Sequence, residues 1–160
     1  MARNDTHELI TSSPKMFAST DSFALSAGEV LFLIGRVLLG WYFLIDGVGK
    51  FPNITPFVGY VTSLGVPSPY FMAWVGAIAE FLLGLTLVFG VATRYGALLG
   101  ILFVIIASAL AHRYWQYPTA AQLGQYVNFM KNTVILGGMV LIFVIGGGRF
   151  SVDSWLRRRG

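Results

Sequence analysis

Long apolar runs separated by short polar stretches dominate the chain. Four windows, Glu29–Val48, Tyr70–Val91, Tyr95–Ala111 and Tyr126–Ile145, approach the ~20 mostly apolar residues that carry a helix across a bilayer core. The third holds no charge between Gly96 and Ala111, whereas Asn128, Lys131 and Asn132 crowd the first half of the fourth. The connection "VATR" between the second and third windows is so short that these two helices must be antiparallel neighbours. The segment from Phe51 to Pro69 is longer. In it Thr55 is placed to cap a helix, Pro56 to occupy its first turn and Gly65 to end it. Phe57, Val58, Val61 and Leu64 then share one face, which predicts a short helix across the mouth of the bundle. Ser68 and Pro69 repeat the cap-plus-proline device. The expected fold is all-α: a polytopic membrane protein, a four-transmembrane-helix bundle with a short helix in the first external loop.

Composition supports a membrane solvent. The chain is 56% hydrophobic and 11% charged, against about 25% charged in ordinary globular domains, and its mean hydropathy is +0.70. Residues 1–28 are polar, of mixed charge and rich in Ser and Thr, without the pattern of a secretory signal. They are expected to form a flexible cytoplasmic tail before a membrane domain over 29–156 and a basic cytoplasmic tail over 157–160. With no cysteine and only His7 and His112, thiolate and disulfide chemistry are excluded and a protein-only metal centre is disfavoured.

Charge then sets orientation. The N-terminal tail, Arg94 and the C-terminal residues Arg149, Arg157, Arg158 and Arg159 hold seven Lys and Arg side chains, against Lys50, Arg113 and Lys131 on the other side. The positive-inside rule places both termini of a multi-pass membrane protein in the cytoplasm. The net charge of +4 follows from this topology, so no nucleic-acid partner is implied, and the terminal arginines can attract anionic headgroups. The aromatic segment after Ala111 is expected to rest at headgroup depth.

The charges inside the oily windows need a purpose. On a helix, Arg36, Gly40, Phe43, Gly47 and Lys50 fall within about 80° of one another, so the first span turns a stripe of charge and glycine toward a neighbour. Gly76, Glu80 and Gly84 make a matching stripe on the second span. Counting helical rise places Arg36 about 10 Å and Glu80 about 15 Å deep, and an Arg36–Glu80 ion pair is expected. It serves either to hold helix register or to let Glu80 handle protons. Toward the outer side Asp46, Lys50, His112, Asn128, Lys131 and Asn132 are expected to converge. Lys131 would pair with Asp46, and the remaining donors would face a carbonyl, an anion or a quinone head group. Each also has a plainer role: Lys50 snorkelling, His112 ending its helix, the two Asn side chains bridging helices. The run "GGGRFSVD" reads as a helix stop at the membrane surface, since no strand precedes it.

Taken in order, "RVLLGWYFLIDGVGK", "GVP", "GAIAEFLLGLTLVFGVATR", "AHRYW", "NFMKNTVILGG" and "GRFSVD" resemble the DoxX family of small four-span membrane proteins of bacteria and archaea. The resemblance implies a membrane protein linked to redox metabolism, with Arg36, Lys50, Glu80, His112, Asn128, Lys131 and Asn132 as the polar members of the shared pattern. Asp46 stands outside that pattern. Relatives implied by it include a quinone-reducing thiosulfate dehydrogenase subunit and a component of a membrane oxidoreductase complex. The leading expectation is therefore a subunit of a quinone-coupled redox system, with no covalently bound cofactor and a soluble or membrane oxidoreductase as partner. A non-enzymatic scaffold for such a complex and a small-solute transporter are the alternatives.

Overall fold

The computed structural model describes residues 18–159. Among them the secondary structure is entirely helical: α1 (Ala18–Lys50), α2 (Thr55–Ser63), α3 (Pro69–Phe89), α4 (Thr93–Ala111), a 3₁₀ turn at Tyr114–Gln116, α5 (Thr119–Ile145) and α6 (Val152–Arg157). Four of these are long and apolar enough to cross a membrane, within Ser26–Lys50, Pro69–Phe89, Thr93–Gln116 and Thr119–Ile145. Lys50, α2 and the 3₁₀ turn lie at one end of the bundle, and the α3–α4 turn and α6 at the other, here called the Lys50 end and the arginine end.

Two helices start earlier than the hydropathy windows. Helix α1 begins at Ala18, inside the segment expected to be a flexible tail; the rest of that segment lies outside the described residues. Helix α5 begins at Thr119, directly after Pro118, so the aromatic loop shortens to the 3₁₀ turn. Hydropathy finds where lipid begins, whereas a helix continues into polar sequence as long as its backbone bonds persist.

The core is formed by Phe43, Leu83, Leu87, Ala97, Val104, Ile135, Met139 and Ile142. Outward-facing Leu38, Leu102, Val134 and Leu141 are all more than half exposed, as expected of side chains whose solvent is lipid. Helix α1 packs chiefly on α3, and α4 on α5, while α1 only grazes α5. The α1–α3 contact is backbone-close: a Cβ on Gly84 would overlap the Leu44 backbone, and one on Gly47 would lie 2.6 Å from the Phe81 nitrogen. Small residues at these notches let the axes approach, as membrane helices require. Helix α2 forms as expected at the mouth of the bundle, with Val61 buried. Its N-terminal cap is not Thr55, however; the Asn53 side chain accepts from the Thr55 amide at 3.2 Å. Ser68 likewise precedes α3 in the left-handed region without a side-chain cap.

At the arginine end, the "GGGRFSVD" run does stop α5, with Gly146 at φ +83. It then folds back as α6, an element absent from the sequence reading. The Asp153 carboxylate accepts from the Ala92 and Thr93 amides at 2.7 and 2.8 Å and from the Thr93 hydroxyl at 2.7 Å. These are amide groups that a helix leaves unpaired at its N-terminus, so α6 caps α4. Burial pushes the Asp153 carboxyl up, but the Thr93 and Ala92 hydrogen bonds and the nearby Arg157 charge outweigh it and hold the group below its ordinary value.

Candidate functional site: an acid–base triad and a lipid-facing groove

The glycine notches determine which charges meet. Gly40 lies against Val88, Leu44 against Gly84 and Gly47 against Phe81. On that antiparallel register Arg36 falls opposite the turn that follows α3, and Glu80 falls opposite the Lys50 end of α1. The expected Arg36–Glu80 pair therefore does not form. Buried Arg36 instead donates to the Leu87 carbonyl, to Val88 O at 3.3 Å and to Phe150 O at 2.8 Å. It thereby satisfies carbonyls that α3 leaves unpaired at its C-terminus and ties them to the segment before α6. Depth counted from approximate span ends misplaced it by roughly two helical turns.

Glu80 binds Lys50. The Lys50 ammonium is held between the Glu80 and Asp46 carboxylates. Glu80 and Lys50 are largely buried, with side chains 9% and 15% exposed, and Asp46 is open at 51%. An aromatic cover shields this triad. The Phe57 ring from α2 lies 4.6 Å from the Lys50 nitrogen, within cation–π range, and Phe51 stacks on Trp74 and meets Phe81 edge-on. Two carboxylates around one ammonium carry a net negative charge when all are ionised. Uptake of one proton would neutralise the group.

The six-residue outer cluster is divided by the structure into four groups. Asp46 and Lys50 join Glu80. Lys131 does not reach Asp46; it donates to the Tyr42 hydroxyl at 3.1 Å and to Asn128 Oδ1 at 3.3 Å. His112 shares a hydrogen bond with the Gln125 side chain at 2.8 Å. Buried Asn132 donates to Ser108 Oγ at 3.0 Å. Packing decides the division: α1 packs closely on α3 and only lightly on α5, and where it does touch α5 Lys131 meets Tyr42 rather than Asp46.

One of these groups opens onto a space. Between α4, α5 and the 3₁₀ turn lies a groove of ≈ 360 Å³. Its polar wall carries Ser108, Asn132 and Arg113, and its aromatic wall Trp115 and Phe129. The half-buried Arg113 guanidinium makes no hydrogen bond or ion pair among the described residues. Sequence reasoning missed Ser108 and the aromatic wall. Ser108 is four residues from His112 and so one turn below it on α4, the only hint available.

Fold and site together define a polytopic helical membrane protein with a shielded acid–base triad and a lipid-facing groove. The DoxX family model matches residues 31–113, and the chain belongs to that family. It is 32% identical over 128 residues to inner membrane protein YphA of Escherichia coli K12, covering 80% of this chain and 91% of that one. It is 31% identical over 131 residues to inner membrane protein YqjF of the same organism, covering 82% and 95%. A shorter match, 36% over 77 residues, covers 48% of this chain and 54% of the Bacillus subtilis protein named "Putative oxidoreductase CatD". No solved structure matches.

Proposed function

We propose that the chain is the membrane subunit of a redox system, lies in the inner membrane with both termini cytoplasmic, and takes a quinone head group in the α4–α5 groove. The observation that carries this reading is the unpartnered Arg113 facing a space shared with Asn132 and Ser108. A quinone carbonyl accepts hydrogen bonds from Arg113 and from the second amide hydrogen of Asn132, whose first goes to Ser108 while the Ser108 hydroxyl is spent on Val104 O. Trp115 and Phe129 offer faces for the quinone ring. At ≈ 360 Å³ the groove is at the small end of ligand sites, which suits a head group whose tail remains in lipid. The partial likeness to CatD supports a redox assignment. In this reading the Asp46–Lys50–Glu80 triad is the acid–base element of the bundle, and electrons reach the quinone from a bound reductant or a partner protein.

Titrating a short-tailed quinone into the purified protein, with Trp115 emission as readout and Trp115→Phe as reference for non-specific quenching, tests the proposal. Asn132→Leu and Arg113→Gln are each expected to weaken binding about ten-fold, the equivalent of one lost buried hydrogen bond. Equal quenching in both variants and wild type would refute the quinone site and leave the scaffold role as the better account.

A further inference from the structure

We infer that the arginine end holds a second site, for the headgroup of an anionic phospholipid. The cavity there, ≈ 440 Å³, is independent of the quinone reading and lies at the opposite end of the α4–α5 seam. Arg94, Arg157, Tyr95 and Ile145 line it together with the Gly146–Gly147 backbone. Arg94 is held in place by a hydrogen bond to Val144 O at 3.0 Å. Arg157 makes no hydrogen bond or salt bridge among the described residues. The one carboxylate in the cavity, Asp153, already accepts three hydrogen bonds from Ala92 and Thr93, so most of its acceptor capacity goes to the α4 cap.

Depth selects the ligand. Arg94 follows α3 by a few residues and Ile145 is the last residue of α5, which places the cavity where hydrocarbon gives way to headgroups. Tyr95 in its wall is exposed, as are Trp155 and Leu156 on α6, the helix that supplies Asp153 and Arg157, side chains suited to that boundary. Arg149 and Arg158 lie close by in sequence, and Arg159 stacks over Trp155 at 3.9 Å. Glu29, on the same side of the bundle, is bridged to Arg149. A phosphate between Arg94 and Arg157, with acyl chains running down the outer faces of α4 and α5, satisfies charge, depth and apolar surroundings together.

The test measures thermal unfolding of the full chain in neutral detergent with added short-chain phosphatidylglycerol, phosphatidylcholine or inorganic phosphate. Phosphatidylglycerol is expected to raise the unfolding temperature saturably, and the other two are not. Arg94→Gln and Arg157→Gln are each expected to shift the half-saturating concentration upward at least ten-fold, and Arg159→Gln, which lies outside the cavity, less than two-fold. Arg157→Gln removes no hydrogen bond, so it keeps the test informative if Arg94→Gln fails to fold. Equal response to phosphatidylcholine, equal response to inorganic phosphate, or unchanged saturation in Arg157→Gln would each overturn the inference.

Discussion

Replacing Lys50 with methionine keeps the length of the side chain and removes its charge. Among the described residues Lys50 is the sole cation paired with Glu80, whose side chain is only 9% exposed, and it also engages Asp46. Without it two carboxylates face each other under the Phe57 and Phe51 rings. Removing one partner of a fully buried ion pair costs about 3–5 kcal/mol. Asp46 is half exposed and the triad lies at the end of a span, where water relieves part of the cost, so Lys50→Met is expected to destabilise by about 3 kcal/mol. The double variant Lys50→Met, Glu80→Met removes both buried charges and fills the space with apolar side chains. Such replacements are often close to neutral, so it should be more stable than Lys50→Met by about 1–2 kcal/mol. Unfolding by denaturing detergent in micelles, followed by Trp emission with Trp74 stacked on Phe51, the residue after Lys50, measures both. If Lys50→Met unfolds with wild-type stability, or if the two single costs simply add, the triad is not the coupled unit described.

Gly84→Ala should cost about 1–3 kcal/mol, because its methyl group enters the Leu44 backbone and overpacked cores lose stability on that scale; a methyl on Gly35, with open space around it, is the control in the same assay. Asp153→Asn should cost about 1–2 kcal/mol near neutral pH through the weakened α4 cap. Because the Asp153 carboxyl is held below its ordinary value of 3.8, its contribution is complete above that value and is lost as pH falls through the lowered folded value. Wild-type stability should therefore decline on acidification below about pH 4 with a component that Asp153→Asn lacks, and parallel acid profiles for the two proteins would contradict the cap.

Apolar window length and turn chemistry made four crossings and the helix of Thr55–Ser63 legible in the sequence, because lipid and backbone hydrogen bonding leave few other options. The spacing of Gly40, Gly47, Glu80 and Gly84 also identified the faces that α1 and α3 turn to each other, whereas Gly76 of the same expected stripe meets Phe57 of α2. The ion-pair partners were not legible. Periodicity states which face of a helix is polar, whereas pairing depends on the relative slide of two helices and on which neighbour each face meets. A slide of about two turns sends Arg36 to the carbonyls ending α3 and gives Glu80 to Lys50.

What the sequence determined by itself was the solvent, the number of crossings and the inward aim of Arg36, Lys50 and Glu80, each dictated by the cost of exposing polar groups to hydrocarbon; Asp46 and Lys131 stay exposed. Only the tertiary structure decided the α1–α3 register, through backbone contact at Gly47 and Gly84, and the slight contact of α1 with α5. It alone joined Asp153 to the start of α4 and left Arg113 open to a groove. These outcomes rest on contacts between residues far apart in the chain, where close packing rather than local pattern selects among arrangements of similar polarity.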